Sequence, residues 1–214
     1  MLQPQLIQTI RRLMFLSLFC IALEALRMCC TFNFNYIFLP WNLILAWVPL
    51  AFATRIIKEG NKFKLAAWFF AWFIFFPNAP YIITDFIHLK PRDNFPFWFD
   101  SILLYAFAFA GLMPGVVSAL LVYKKLKDLV PQYIAKGLMV MVMFFSGYGI
   151  YMGRFLRYNS WDILTNPFEI LADTAARILH PASYPRTYGV TLMAGILLCL
   201  VLAIFESFME TEVA

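Results

Sequence analysis

The sequence predicts an all-α fold: a polytopic membrane helix bundle with six transmembrane helices, a broken third helix and one interfacial amphipathic helix. Three observations support this fold class. The 214 residues are 63% hydrophobic and only 14% charged, whereas a soluble domain is about half apolar and a quarter charged. Six apolar segments are long enough to cross a bilayer, and two prolines interrupt the third. We expect residues 1–214 to form a single transmembrane helical domain.

The six predicted spans follow from length, because a membrane-crossing helix needs about 20 mainly apolar residues. They are roughly residues 11–30, 38–57, 64–89, 98–123, 134–157 and 187–206. The first span follows Arg11 and Arg12, as the core of a signal peptide would. However, Glu24 and Arg27 lie within it and no small-x-small cleavage site follows. We therefore expect this segment to be retained as a helix.

Lysines and arginines in the connections predict the orientation, because cytoplasmic connections carry an excess of them. One side holds ten: Arg11, Arg12, Arg55, Lys58, Lys62, Lys64, Lys124, Lys125, Lys127 and Lys136. The other side holds seven: Arg27, Lys90, Arg92, Arg154, Arg157, Arg177 and Arg186. This bias predicts a multi-pass protein of the cell (cytoplasmic or inner) membrane with both termini in the cytoplasm. The net charge of +5 is thus a topology signal, and no nucleic-acid partner is predicted.

The third span is interrupted between residues 75 and 89. A proline inside a helix removes a backbone hydrogen bond and clashes with the preceding turn, so Pro77 is expected to break the span. Asn78 is expected to cap a second helical segment, whose first turn tolerates Pro80. A broken helix in a bilayer exposes polar backbone groups, which is typical of a functional site.

A polar face follows the break. In an α-helix, steps of three, four and three residues share one face, and this spacing joins Asn78, Tyr81, Asp85 and His88. Ionisable residues inside a membrane span are costly and usually functional. The alternative is that the span ends here and that Asp85 and His88 are simply solvated.

The fourth and fifth spans add further candidates. Asp100 begins the fourth span, either as part of the site or as a helix cap. Arg154 and Arg157 are three residues apart and neighbours on a helix, so they can clamp a phosphate or carboxylate. They can equally anchor at lipid head groups or pair with acidic side chains. The preceding Gly149-x-x-x-Gly153 motif favours close helix packing.

An interfacial helix is predicted after Asp162. Asn166, Pro167 and Glu169 form a helix-start signal. An apolar stripe follows at helical spacing: Phe168, Leu171, Ala175, Ile178 and Leu179. The segment is too short to span the bilayer, so it is expected to lie in the membrane plane, where it can also cover the site.

Several motifs resemble one protein family. They are Phe76-Pro77-Asn78-Ala79-Pro80-Tyr81, Thr84-Asp85, His88-Leu89, Trp98-Phe99-Asp100, Gly153-Arg154-Phe155 and Arg157-Tyr158-Asn159-Ser160-Trp161-Asp162. The sequence resembles a bacterial integral-membrane family of unknown function, DUF1361, from the third span to the interfacial helix. The resemblance implies a membrane bundle and no particular activity.

Together these patterns predict a polar site that opens to the extracytoplasmic side and acts on or binds an anionic or lipid-like substrate at the outer leaflet. The candidate catalytic residues are Asp85, His88 and Asp100. The candidate substrate-binding residues are Asn78, Tyr81, Arg154, Arg157, Asn159 and Asp162.

Other functions remain open from the sequence. The three catalytic candidates can instead hold a divalent metal ion, although Asp-x-x-His alone supplies only two ligands. The protein can also be a transporter, a substrate-binding membrane subunit or a structural scaffold. The lipid bilayer is the expected partner, and further membrane subunits are compatible with the sequence. Whether the protein is an enzyme is not decided by these patterns.

Overall fold

The computed structural model describes residues 4–91 and 95–211, which form helices and no β-strands. Nine α-helices lie in these ranges: α1 (Pro4–Thr31), α2 (Phe38–Ile56), α3 (Lys62–Phe75), α4 (Asn78–Tyr81), α5 (Phe97–Lys127), α6 (Gln132–Tyr151), α7 (Asp162–Thr165), α8 (Pro167–Leu179) and α9 (Pro185–Thr211). Two 3₁₀ helices, Ile82–His88 and Pro181–Ser183, and a π-helical turn, Met152–Leu156, complete the described elements.

Six of the described helical segments are long and apolar enough to cross a membrane, as predicted: Pro4–Thr31, Phe38–Ile56, Lys62–His88, Phe97–Lys127, Gln132–Leu156 and Pro185–Phe208. The most buried of them is α5, which packs against α1, α2, α4, α6 and α9. The helix α9 packs chiefly on α6. The chain is therefore a multi-pass membrane protein built around α5.

The two lysine-rich connections lie together at one end of the bundle. Lys125, at the end of α5, donates a hydrogen bond from Nζ to the carbonyl oxygen of Glu59 in the α2–α3 connection, at 3.2 Å. We call this the lysine-rich end. The 3₁₀ helix after α4 and the π-helical turn after α6 lie at the opposite end of their spans. Arg92, which was counted for the orientation, lies outside the described residues.

The predicted break in the third span is present. The helix α3 ends at Phe75 and α4 begins at Asn78, because Pro77 has no N–H to continue the α-helical bonding. The prediction that Asn78 caps α4 is wrong: Pro77 occupies the cap position, and no side chain caps the helix. Asn78 Nδ2 instead donates back to the carbonyl oxygen of Phe75 at 3.0 Å.

The carbonyl groups released by the break find side-chain donors. The N–H of Ala79 donates to the carbonyl oxygen of Phe76 at 3.2 Å and not to that of Phe75, four residues back. The Phe75 carbonyl therefore accepts from the side chain of Asn78. Ser160 Oγ donates to the carbonyl oxygen of Ile74 at 3.3 Å and accepts from Asn78 Nδ2 at 2.9 Å. Unpaired backbone groups are costly in a membrane, so these two side chains stabilise the broken conformation.

Glycines on α5 and α6 let the broken segment enter the bundle. A Cβ atom at Gly115 would lie 2.5 Å from Cβ of Ala79, and one at Gly149 would lie 2.8 Å from Cγ of Pro77. Both separations are shorter than carbon atoms tolerate, so only glycine fits at these positions without movement. Gly111 and Gly153 make similar approaches to Ile82 and Tyr81. The predicted close contact at Gly149-x-x-x-Gly153 is thus confirmed, and its partner is the broken third helix.

The amphipathic helix α8 turns its polar face toward the bundle. Tyr158 donates to Asp173 Oδ2 at 3.0 Å, and the hydroxyl groups of Tyr148 and Thr174 are 2.9 Å apart. Loss of solvent and the neighbouring Asp173 carboxylate raise the pKa of Tyr158 to about 12, so its hydroxyl keeps the proton that it donates. The apolar stripe faces outward, with Phe168 84% exposed. This arrangement suits a helix whose outer face contacts lipid.

The glycine contacts generate a stability prediction with a matched control on the same helix. Gly149→Ala is expected to lower the free energy of unfolding by about 1–3 kcal/mol, because the new methyl group meets the rigid ring of Pro77. Gly137→Ala has open space at its Cβ position and is expected to be neutral or stabilising by up to about 1 kcal/mol through helix propensity. Unfolding of both variants in detergent micelles measures the difference, and equal stability would contradict the packing.

Candidate functional site

One arginine gathers the polar groups of the broken helix. The guanidinium of Arg154 donates from Nε to Thr84 Oγ1 at 2.8 Å and from Nη2 to Asp85 Oδ1. Its Nη1 lies 3.2 Å from Nε2 of His88, and its Cζ lies 4.4 Å from the ring centroid of Tyr81. We call these five residues the Arg154 cluster. Tyr81, Asp85 and His88, which the sequence placed on one face, therefore all contact the guanidinium of Arg154.

The Arg154 cluster includes Thr84, a residue that sequence reasoning missed. Residues 82–88 form a 3₁₀ helix, in which side chains three apart share a face. Thr84 therefore aligns with Tyr81, and His88 aligns with Asp85. The step of three from Tyr81 to Thr84 was the available signal in the sequence, and Thr84-Asp85 was among the motifs that carried the family resemblance.

The π-helical turn at the end of α6 separates the two candidate arginines. Arg154 lies within this turn and points to the 3₁₀ helix, whereas Arg157 follows it with a positive φ of 63° and is exposed. Arg157 forms no ion pair or side-chain hydrogen bond with any residue in the described ranges. The expected two-arginine clamp is therefore not assembled in this conformation.

Both oxygens of the Asp85 carboxylate accept hydrogen bonds. Asp85 is 1% exposed, and while Oδ1 binds Arg154, Oδ2 accepts a hydrogen bond from Asn42 Nδ2 at 2.8 Å. Two donors and one opposite charge satisfy the carboxylate, so the ion pair carries no net charge. Asn42 was missed from the sequence. Its position inside the apolar run of α2 was the available signal, because an amide in a membrane span needs a partner.

His88 acts as an acceptor in this arrangement. A guanidinium group can only donate hydrogen bonds, so Nε2 of His88 is the acceptor in its 3.2 Å contact with Arg154. The ring packs edge-on against Phe38, with centroids 4.9 Å apart. The carbonyl oxygen of His88 accepts from the hydroxyl of Tyr36 at 3.4 Å. The ring and the backbone carbonyl of His88 therefore both contact neighbouring residues at the end of the 3₁₀ helix.

Asp100 belongs to a second buried ion pair. Its carboxylate accepts from Nε and Nη2 of Arg27 at 2.6 and 3.1 Å, which joins α1 to α5. The ring of Tyr36 lies 4.5 Å from Cζ of Arg27, so Tyr36 links this ion pair to the backbone of His88. The expected grouping of Asp100 with Asp85 and His88 is thus replaced by a pairing with Arg27. Glu24 lies buried nearby, and neither of its carboxyl oxygens has a hydrogen-bond partner within the described chain.

The metal alternative finds no support in the geometry. Within residues 4–91 and 95–211, no three His, Cys, Asp or Glu side chains are grouped so that they could hold a metal ion. Asp85 and His88 instead share Arg154, and Asp100 binds Arg27. Each of the three predicted metal ligands therefore contacts an arginine side chain.

A cavity of about 260 Å³ lies beside the Arg154 cluster. Asn42 and Tyr81 line this cavity. Tyr81 is a member of the Arg154 cluster, and Asn42 donates a hydrogen bond to Asp85 of the cluster. Three predicted substrate-binding residues, Asn78, Tyr81 and Asn159, line it. The other predicted residues, Arg154, Arg157 and Asp162, are not among its lining residues in the described ranges.

Asp162 has a local role. Its Oδ2 accepts from the backbone N–H of Asn159 at 2.7 Å, and its Oδ1 accepts from Thr165 Oγ1 at 3.3 Å. These bonds shape the turn before α7 and hold Asn159 at the cavity wall. Asp162 is therefore a positioning residue for the loop.

The lining of the cavity combines two kinds of surface. Apolar side chains come from α2, α3 and α6: Trp41, Leu45, Phe73 and Phe145. Amide and hydroxyl groups face the same space: Asn42, Asn78, Asn159, Tyr158 and Ser160. No Asp, Glu, His, Lys or Arg side chain of the described residues lines it. Such a cavity suits an amphipathic molecule and offers no strong acid or base.

The buried ion pair of the Arg154 cluster predicts a large loss of stability when one partner is removed. Asp85→Ala is expected to lower the free energy of unfolding by about 3–5 kcal/mol, because Arg154 then keeps a buried charge without its counter-ion. Arg157→Ala is the matched control, and this exposed arginine is expected to change stability by less than about 0.5 kcal/mol. Denaturant unfolding in micelles checks both values. Similar losses in the two variants would contradict the assignment.

Comparison with known proteins identifies the family. The model of the family described as "Protein of unknown function (DUF1361)" matches residues 41–201. This range contains the whole Arg154 cluster and every lining residue of the cavity, whereas Arg27 of the second ion pair lies outside it. No curated protein and no solved structure matches the chain. The protein belongs to the DUF1361 family of proteins of unknown function.

Proposed function

We propose that this protein binds a lipid-like, amphipathic molecule in the cavity beside the Arg154 cluster. The observation that carries the proposal is the exposure of two aromatic side chains that line the cavity. Trp41 and Phe145 line the cavity and are 54% and 52% exposed. They belong to α2 and α6, whose exposed side chains contact lipid when these helices cross a membrane. The cavity is therefore open to molecules that arrive from the bilayer.

The polar lining accounts for the other half of the ligand. A lipid-like molecule that enters between α2 and α6 carries its head group toward Asn42 and Asn78, on the inner wall. The apolar tail then remains against Trp41 and Phe145 and the surrounding lipid. This separation of polar and apolar contacts is typical of sites that orient an amphipathic ligand.

The Arg154 cluster supports the cavity from behind. The charge of Arg154 is neutralised by Asp85, so the cluster is not available as a binding site for an anionic group. It holds Asn42 through the Asp85 carboxylate, and it holds Tyr81 under the guanidinium. Asp85 and His88 therefore act in this proposal as positioning residues, and the proposed activity is binding.

The proposal places the site in the extracytoplasmic half of the cell membrane. The lysine-rich end lies at the start of α3 and α6, whereas the cavity lies toward their other ends. Because positively charged connections favour the cytoplasm, the cavity faces the outer leaflet and both termini are cytoplasmic.

Filling the cavity tests this function. In native mass spectrometry from a polyoxyethylene detergent, with dioctanoylglycerol as the probe, wild-type protein is expected to retain one saturable lipid. Leu45→Trp places an indole in the cavity and is expected to weaken retention at least about tenfold, equivalent to about 1.4 kcal/mol. Ile44→Trp is the matched control, since Ile44 directly precedes Leu45 on α2, is exposed and does not line the cavity.

Two results would overturn the proposal. One is the absence of any saturable lipid on wild-type protein. The other is equal retention by Leu45→Trp and Ile44→Trp, because the bound lipid would then lie outside the cavity. Thermal unfolding of both variants is measured alongside, so that a folding defect is recognised.

A further inference from the structure

We infer that the head group held in the cavity is uncharged and carries hydroxyl groups, as in a glycosylated lipid. This inference rests on the proposed lipid-binding function and specifies its substrate class. It follows from three properties of the cavity wall: the absence of an available charge, the fixed orientation of two amide groups, and the size of the space.

The first property is electrostatic. The described residues that line the cavity carry no formal charge, and Arg154, the cation of the neighbouring cluster, is paired with Asp85. A phosphate or carboxylate entering this space would lose water without gaining a counter-charge, which is strongly unfavourable in an apolar environment. An ammonium group meets the same penalty. A neutral head group avoids it.

The second property is the direction of the asparagine side chains. Asn78 Nδ2 uses both of its hydrogens, on the carbonyl oxygen of Phe75 and on Ser160 Oγ. Asn42 Nδ2 faces the Asp85 carboxylate. Rotating either amide by half a turn would place oxygen against oxygen, so the nitrogen positions are determined by their partners.

The fixed amides leave two oxygen atoms for a ligand. Neither Oδ1 of Asn42 nor Oδ1 of Asn78 has a hydrogen bond within the described chain, and neither is buried without a partner. Both residues line the cavity. An amide oxygen only accepts hydrogen bonds, so the complementary ligand atom must be a donor. A hydroxyl group supplies a donor, whereas an ionised phosphate or carboxylate presents only acceptors and would be repelled.

The wall also supplies donors, which completes the match to hydroxyl groups. Asn42 and Asn159 each keep one amide N–H beyond the bonds they make to Asp85 and Asp162. A hydroxyl group both donates and accepts, so neighbouring hydroxyls on one ligand can use both kinds of wall atom. The aromatic ring of Tyr81 offers a flat apolar surface for the carbon face of such a head group.

The third property is volume. The cavity of about 260 Å³ is slightly smaller than the pockets of roughly 300–1,000 Å³ that enclose drug-sized ligands. It therefore has room for a head group but not for acyl chains as well. The chains would leave through the mouth between Trp41 and Phe145 and stay in the bilayer.

Three probes with the same dioctanoylglycerol tail test the head group. They are the glucoside, the phosphate (dioctanoyl phosphatidic acid) and the methyl ether, and binding is measured by native mass spectrometry as above. The glucoside is expected to bind at least about tenfold more tightly than either of the others, a difference of about 1.4 kcal/mol. Asn42→Ala is expected to remove that preference. Asn35→Ala, an exposed asparagine outside the cavity, is expected to retain it.

The possible results separate the two proposals. If the phosphate binds as tightly as the glucoside, the head-group inference fails while lipid binding stands. If none of the three probes binds wild-type protein, both proposals fail. Because Asn42 also supports Asp85, Asn159→Ala is a second variant, whose side chain makes only a 3.4 Å contact to Asp162. An unchanged preference in every folded cavity variant would overturn the role of the amides.

Discussion

The structure depends on the close contact between the broken third helix and the glycines of α5 and α6. Pro77 and Pro80 prevent a continuous α-helix, but a break alone would leave polar backbone groups in lipid. Gly115 and Gly149 let the broken segment approach within contact distance of two neighbours. The segment is therefore enclosed by protein, as a non-helical backbone at membrane depth must be. The 3₁₀ helix that follows is thereby directed toward the π-helical turn and Arg154.

Every described buried arginine–carboxylate pair at this end of the bundle is internally neutral, which is the basis of the proposal for an uncharged ligand. Arg154 pairs with Asp85, and Arg27 pairs with Asp100. Tyr36 lies between the two pairs: its ring contacts Arg27, and its hydroxyl donates to the backbone carbonyl of His88, whose side chain contacts Arg154. Charges in a membrane are tolerated when they are paired and hydrogen-bonded. The arginines are thus part of the framework, and the cavity in front of them is lined by amides, hydroxyls and aromatic rings.

Local patterns in the sequence predicted the helices. They did not predict which side chains pair when the two residues are far apart in the sequence. The length of the apolar segments predicted the six spans, and Pro77 predicted the break, because both signals are local in the sequence. The pairing of Asp100 with Arg27 spans 73 residues and depends on the packing of α1 on α5. Thr84 was missed because its partner, Arg154, lies 70 residues away. Asn42 was missed because nothing in α2 alone indicates a carboxylate on another helix.

The most direct test of this account is a double-mutant cycle between Ala79 and Gly115, measured as free energies of unfolding in micelles. If the two positions touch, Gly115→Ala lowers stability in the wild-type background but costs much less when Ala79→Gly has removed the opposing methyl group. The account predicts a coupling energy of about 0.5–3 kcal/mol, the range found for residues in contact. Additive losses, with no recovery in the double variant, would contradict the enclosure of the broken helix.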